Sequence, residues 1–459
     1  MKKINLGTAQ KIHFIGIGGI SMSGLAEVLL RDGYTVTGSD DVKSRITDHL
    51  QQVGIRIAIP NCEKNITADI DLVVYTAAVK PDNPEFATAA SLGIKMMERA
   101  ALLGVILQKY DHAICIAGTH GKTTSTSLMA EVAMDAGLDP TISIGGYLGR
   151  DGTNYRVGDS SYFVLESCEY NNSYHHWYPH AAIILNIDND HEDFFGGLSG
   201  VIASFKRFAQ NIHPGGLLVI QHGTPGFQEV IDGLACEVVT FGLTQDALYW
   251  AANINFDQLG HPTFNVMHGH DFIVQVGLPL PGQYNMLNAL AVFATAHKLG
   301  IAPQVIAASL SNAKGVQRRF EYKGEYNGAR VIDDYAHHPT EIISCLQAAR
   351  KSASGKLYCL FQPHTYTRTK NLFNEFCEAF TDADVIVLLP IYAAREAFDP
   401  NISSLHLAEG IKRFGGNVLH INNFDEACKF LQANLSPGDM LITMGAGDVY
   451  FVGEAVVST

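Results

Sequence analysis

Short β-branched runs alternate with stretches of helical hydrophobic spacing along almost the whole chain. HFIGIGG reads as a strand and a glycine turn, SGLAEVLLRDG as a helix closed by Gly33, and YTVTGSD and DLVVYTAAV as further strands. This is the βαβ rhythm of a parallel sheet. A second series starts at HAICIAGTHGKTTSTSLMAEVAMDAG and continues through the strands SYFVLES and HAAIILNID. Between 217 and 276 the pattern changes. GLLVIQHG, CEVVTFG, ALYWAANINFD, TFNVMHG and DFIVQVGL read as strands separated by Gly, Asn and Asp turns, which predicts an antiparallel excursion at the edge of the middle unit. The helix NMLNALAVFATAHKLG follows, and a third series runs from ARVIDDYA through KLYCLFQP and DVIVLLP to DMLITMGAG.

The 459 residues therefore divide into three α/β domains with joints expected near 105 and 315. Their expected extents are 1–105, 106–314 and 315–459. The first and last read as Rossmann-like, and the central one as a phosphate-loop domain with an antiparallel edge. A hydrophobic content of 47% against 17% charged residues is ample for a core in each. The net charge of −14 is spread over the chain, which argues against nucleic-acid binding but not against small anionic ligands held by backbone N–H groups. None of the eight cysteines forms a C-x-x-C pair, and 115, 345, 359 and 377 read as buried thiols. No segment is apolar for long enough to span a bilayer, and the start MKKINLGTAQ lacks a signal-peptide core. The expectation is a cytoplasmic protein; its oligomeric state is left open.

Four clusters carry chemistry. Gly118-Thr119-His120-Gly121-Lys122-Thr123-Thr124 follows an apolar strand and opens a helix, the layout in which loop N–H groups and the helix N-terminus hold phosphate. Lys122 would reach the outer phosphates and the Thr123 hydroxyl a Mg²⁺ ion. Ile116 stands where the standard phosphate loop has its first glycine. The second cluster is Gly16, Gly18, Gly19 and Ser21, with Asp40 at the end of the next strand; a UDP-type diphosphate suits it better than NAD, and a pure turn role stays open. The third is Glu166 and His191, each at or just after the end of a strand and hence on the edge where the phosphate loop lies. Both could serve Mg²⁺; alternatively Asp190 and His191 cap the next helix. The fourth comprises Arg318-Arg319-Phe320, Asp333 to Glu341 and Gln362 to Thr369. Capping by the Asp and His residues before Pro339 is an open alternative, and a paired-histidine zinc site lacks a third ligand at a recognisable spacing.

In this order, with YAARE and TMGAGD after them, the motifs GIGGISMSG, AGTHGKTT, ESCEY, NIDNDH, GVQRRF, DDYAHHPTE and FQPHTYTRT resemble the Mur ligases over essentially the whole chain. The resemblance implies an ATP- and Mg²⁺-dependent ligase. It would join L-alanine to the lactyl carboxylate of UDP-N-acetylmuramate through an acyl phosphate. It implies a UDP-substrate domain, a central ATPase domain and a C-terminal domain that helps bind ATP and the amino acid. Gly118 to Thr124 would hold ATP, with Thr123, Glu166 and His191 near the metal. Asn285 and Asn288 would lie beside adenine, Asp334 at the ribose, and Arg319 at the γ-phosphate. His337, His338 and Arg368 would lie near the reacting substrates, and His191 and His338 are candidate bases. This chain has Tyr284 where the family usually has His, Thr365 where many members have a second arginine, and Cys168 where many have aspartate. Rival readings are a ligase that adds a tripeptide to the same UDP-sugar, a nicotinamide oxidoreductase using GIGGIS, and a non-catalytic nucleotide sensor.

Overall fold

A computed structural model describes residues 4–150, 152–394 and 396–458. The first sheet contains β1 (Lys11–Ile15), β2 (Thr35–Ser39), β3 (Arg56–Ala58), β4 (Leu72–Tyr75) and β5 (Lys95–Glu98). All neighbours are parallel and the order is β3-β2-β1-β4-β5. The order reverses between β1 and β4, so the glycine turn after β1 lies at the switch point where such sheets bind ligands.

The middle sheet contains β6 (His112–Ala117), β7 (Thr141–Ser143), β8 (Tyr155–Arg156), β9 (Tyr162–Glu166), β10 (Ala181–Ile184), β11 (Leu217–Gln221), β12 (Glu237–Gly242), β13 (Tyr249–Phe256), β14 (Pro262–His268) and β15 (Asp271–Gly277). Its order is β15-β14-β13-β12-β11-β10-β6-β9-β7-β8. The antiparallel excursion is narrower than the sequence suggests. β11 and β12 continue the parallel sheet from β10, β13 joins parallel to β12, and within the excursion the antiparallel pairs are β13–β14 and β14–β15; the short pair β7–β8 at the opposite edge is antiparallel too. The helices Leu198–Gln210 and Phe227–Ile231 provide the crossovers that parallel pairing needs.

The last sheet contains β16 (Glu321–Tyr326), β17 (Ala329–Asp334), β18 (Leu357–Phe361), β19 (Val385–Leu388), β20 (Val418–His420) and β21 (Met440–Met444). It runs β16-β17-β21-β18-β19-β20, parallel except for the edge hairpin β16–β17. Helices cover both faces: Ile342, Phe376 and Leu407 pack on one, Ala427, Leu431 and Val452 on the other.

The joints are packed rather than linked. Residue 105 lies inside the helix Arg99–Leu107, which is fixed to the middle domain by a Trp177 Nε1 hydrogen bond to the Ala100 carbonyl at 3.1 Å. One apolar cluster runs from Phe14 and Leu29 to Phe205 and Phe208, across both domains. On the other side of this joint, Tyr155 from β8 lies against Gly24 of the helix Ile20–Arg31. A Cβ on Gly24 would sit 2.1 Å from the Tyr155 ring, so this glycine provides room for a neighbouring domain. Residue 315 falls in the turn after the helix Pro303–Ser311, where the Gly149 N–H donates to the Gly315 carbonyl at 3.1 Å.

Candidate active site

The site begins at the C-terminal end of β6, which lies between β10 and β9. Register places Ile116 beside Glu166 and Ala117 beside Ile184, so the loop after β6 emerges between Glu166 and Asn186. Two glycines shape it. Gly118 has φ +143° and a Cβ there would lie 2.9 Å from Leu185; Gly121 has φ +84° and would meet the Asn288 amide at 2.5 Å. Not every loop N–H points inward. Those of Thr119 and His120 donate to the carbonyl and side-chain oxygen of Asn186 at 3.2 and 2.8 Å, because the β10 end lies directly alongside.

Lys122 folds back over the loop. Its ammonium donates to the carbonyls of Gly118 and Thr119 at 2.6 and 2.9 Å and pairs with buried Glu169 at 2.9 Å. Burial alone would lower its pKa, but the field of Glu169 holds it above the usual lysine range. The Thr123 hydroxyl donates to Glu166 at 2.9 Å, and the other Glu166 oxygen accepts the Gly145 N–H at 2.7 Å. Lys122, Thr123, Glu166, His191, Arg319 and His337 line one cavity of about 520 Å³. His191 has φ 52° at the start of a short helix but makes no side-chain cap, so its ring remains in the cavity wall. Hard carboxylate and hydroxyl oxygens with a flanking imidazole fit a divalent cation such as Mg²⁺.

A second cavity of about 430 Å³ shares Gly121, Arg319 and Glu341 with the first. Asn285, Asn288, Tyr284, Thr124, His120 and Asp334 also line it. Asn285 donates to the Pro281 carbonyl at 2.8 Å, and Tyr284, half-buried, lines the same cavity at the position where the family usually has histidine. Burial pushes the Asp334 carboxyl up to about 6, although it accepts N–H groups from Phe320 at 2.8 Å and Ala336 at 2.7 Å. Arg318 turns away from the cavity centre to Asp333 and the Gly445 and Gly447 carbonyls, leaving Arg319 as the arginine common to both cavities.

A third cavity of about 510 Å³ adjoins the first through Asp190 and His191. Arg368 lies in its wall, bonded to Asp190 at 3.2 Å and to the His364 ring at 3.2 Å. Burial works against a charge on Asp190, but Arg368 and the neighbouring histidines hold its carboxyl well below the usual range. Burial also drives His364 down to about 4 and His337 down to about 3.

His338, expected near the reacting substrates, lines none of these three cavities. It caps the helix Pro339–Ser352: Nδ1 accepts the Thr340 N–H at 3.3 Å, and Nε2 faces the Asn189 carbonyl at 3.3 Å. The capping alternative thus describes its present contacts. With His120 and Asp188 it brings three ligand-type atoms within 4.8 Å of one another, a grouping that spacing alone could not reveal. Gly16, Gly18, Gly19, Ser21 and Asp40 stand apart from these cavities, at the end of β1 and β2. There Asp40 accepts the Gly18 N–H at 2.8 Å, and a Cβ on Gly18 would lie 2.8 Å from that carboxylate. Glu169, Asp188 and Glu341 received no role from sequence. The acidic residues after β9 and β10 and the capping-box glutamate were their only local signals.

A phosphate loop flanked by carboxylates, facing an arginine from a second α/β domain, defines a nucleotide-dependent group-transfer enzyme. The chain belongs to the Mur ligase family, and its class is ATP-dependent ligase. Residues 11–111 match the Mur ligase family catalytic domain, 116–296 the Mur ligase middle domain, and 318–447 the Mur ligase glutamate ligase domain. A UDP-N-acetylmuramate–L-alanine ligase of Lachnospira eligens is 48% identical over 455 residues, 99% of each chain. One from Agathobacter rectalis is 45% identical over 454 residues, again 99% of each. The crystal structure of a UDP-N-acetylmuramate–alanine ligase from Thermotoga maritima superposes with a TM-score of 0.80 at 28% identity, covering 98% of both chains. A murein peptide ligase from Psychrobacter arcticus shares the fold, with a TM-score of 0.69 at 24% identity and 98% of both chains covered. The glycine turn after β1 lies within the Mur ligase match, which removes the basis for the oxidoreductase reading. Among the described residues no helix is long and apolar enough to cross a membrane.

Proposed function

We propose that the protein joins L-alanine to the lactyl carboxylate of UDP-N-acetylmuramate, converting ATP to ADP and phosphate. The observation that carries this reading is the shared wall of the first two cavities, where Gly121 of the loop faces Arg319 of the C-terminal domain. In this assignment residues 1–105 hold the UDP moiety through Gly16, Gly18, Gly19, Ser21 and Asp40. Residues 106–314 hold ATP, and 315–459 close over it. A reaction that consumes ATP and a UDP-sugar belongs in the cytoplasm, where both are made.

The adenosine occupies the second cavity beside Asn285, Asn288 and Asp334, and the phosphates lie along Gly118 to Thr124. The lactyl carboxylate attacks the γ-phosphorus, and ADP leaves. Lys122 and Arg319 offset the charge on the transferring group. Thr123, Glu166 and His191 would hold Mg²⁺, which when bound adds a Lewis acid at the phosphate oxygens. The acyl phosphate turns a poor electrophile into one with a leaving group, and the neutral amine of L-alanine displaces phosphate. His337 and Arg368 line the chambers where the amino acid would enter, His337 in the first and Arg368 in the third. Of the two histidines expected to accept the amine proton, His191 lies between these chambers, whereas His338 has both ring nitrogens engaged.

A coupled assay for ADP tests the reading: release should require UDP-N-acetylmuramate and L-alanine together. Turnover with neither present would overturn the ligase assignment. Preference for a tripeptide over L-alanine would transfer it to the recycling reaction, and glycine and serine in the same panel measure strictness.

A further inference from the structure

His120 occupies the middle of the phosphate loop, yet its ring is held by two carboxylates from different domains. Nε2 lies 3.1 Å from Asp188, in the segment after β10, and Nδ1 lies 3.1 Å from Glu341, in the first turn of the helix Pro339–Ser352. Ionised carboxylates only accept hydrogen bonds, so both ring nitrogens must carry a proton. The remaining capacity of the two acids is also directed to donors. Asp188 accepts the Thr340 hydroxyl at 2.9 Å and the Asn189 N–H at 2.8 Å; Glu341 accepts the N–H groups of His337 and His338 at 3.1 and 3.3 Å. The bridge is therefore an imidazolium between two carboxylates, only 14% exposed, across the junction of the middle and C-terminal domains.

We propose that His120 is a positioning residue which couples the phosphate loop to the docking of the C-terminal domain and thereby sets Arg319 against the nucleotide. The inference deepens the ATP-ligase reading and rests on it. Arg319 and Asp334 come from the C-terminal domain, and they line the nucleotide cavity with Gly121 only while that domain is docked. Thr340 to Asp188 and His338 to the Asn189 carbonyl are the neighbouring contacts across the same junction. Among the described residues, the His120 ring is what connects the loop itself to the helix start through a pair of charges. Burial opposes its charge, but the hydrogen bonds its ring donates to Asp188 and Glu341 outweigh this and push the imidazole up to about 9. The other ionisable groups facing this cluster are His338, with its ring centroid 4.9 Å away, and His337, Arg319 and Asp334 beside Glu341.

The test uses the full-length protein and the variants His120→Asn, Glu341→Gln and the double variant. Each single variant should lower kcat about 100-fold, the loss expected when a reacting group is misplaced by about an ångström. Affinity for a non-hydrolysable ATP analogue should stay within about threefold, and the double variant should be no worse than the poorer single one. Hydrogen exchange in the first turn of the helix Pro339–Ser352 should rise in both single variants. Protection relative to the intrinsic exchange rate should fall in the wild type as pH passes through about 9, and in His120→Asn it should stay level. The sign follows from a docked-state pKa above the ordinary histidine value: the bridge is fully formed below about 6.5 and lost on passing about 9. Losses that multiply in the double variant, or unchanged exchange, would overturn the proposal. Should His120→Asn fail to fold, Glu341→Gln carries the same exchange measurement. Exchange requires no substrate, so a wild type that releases no ADP with the two substrates would refute the ligase reading while leaving the role of His120 decidable.

Discussion

The ammonium of Lys122 and the carboxylate of Glu169 form a buried ion pair at 2.9 Å, with Glu169 only 2% exposed. The lysine assigned to the outer phosphates therefore has a resident anion. In the proposed ATP reading, phosphate binding at this loop is an exchange, in which nucleotide oxygens replace a protein carboxylate. Glu169→Gln leaves the lysine charge without its counterion, a change that costs on the order of 3 kcal/mol in buried pairs. The melting temperature should fall, and MgATP should recover more of that loss in the variant than it adds to the wild type. Scanning fluorimetry with and without MgATP checks both.

Lys122→Ala should lower ADP release by at least about 100-fold, in the range found when a preorganised electrostatic partner is removed. Binding of UDP-N-acetylmuramate, followed by calorimetry, should persist, because Lys122 and the glycine turn after β1 lie in different domains. Loss of that binding would refute the division of labour between the domains.

Glu166 joins the Thr123 hydroxyl to the Gly145 backbone. Glu166→Gln should raise the Mg²⁺ concentration for half-maximal activity about tenfold or more, the usual effect of damaging a metal shell. Chelation should abolish turnover in the wild type. A Mg²⁺ titration that overlays that of the wild type would remove Glu166 from the metal site.

His337 is neutral in the folded protein, since burial lowers its pKa to about 3. Its unfolded value is near 6.5, so below that pH the unfolded chain binds a proton that the native state does not. Stability from this group is complete above about 6.5 and falls as pH drops towards 3. At pH 5 the loss is about 2 kcal/mol. Comparing denaturation of wild type and His337→Gln at pH 7 and pH 5 isolates it: the gap between the two pH values should be smaller in the variant.

Gly24→Val should destabilise by about 1–3 kcal/mol through overpacking against Tyr155, and Tyr155→Ala in the same chain should recover part of the loss. Urea denaturation of the two single variants and the pair measures this coupling.

The parallel series and the phosphate loop were legible because their signals are local: apolar runs, glycines at turns, a lysine at a helix start. Pairing direction is not local. β11 and β12 look like hairpin strands in sequence, and only the helices that connect them make the parallel crossover. β16 was missed because its edge position leaves EYKGEY without an apolar run. The partners of the site residues were least legible. His120 and Glu341 are 221 positions apart, and no spacing rule relates them. His338 illustrates the opposite case, in which a motif histidine next to a proline turns out to be held by its own helix end.

The three cavities share walls: Gly121, Arg319 and Glu341 between the first and second, Asp190 and His191 between the first and third. They lie in a row with the first in the middle, so a molecule that threads past the shared residues would reach from one end to the other. A ligand tethering an adenosine-like group to an amino-acid-like group through a tetrahedral phosphinate would meet its second subsite at high effective concentration. Inhibitor design for this ligase thus begins with the length of a linker past His191.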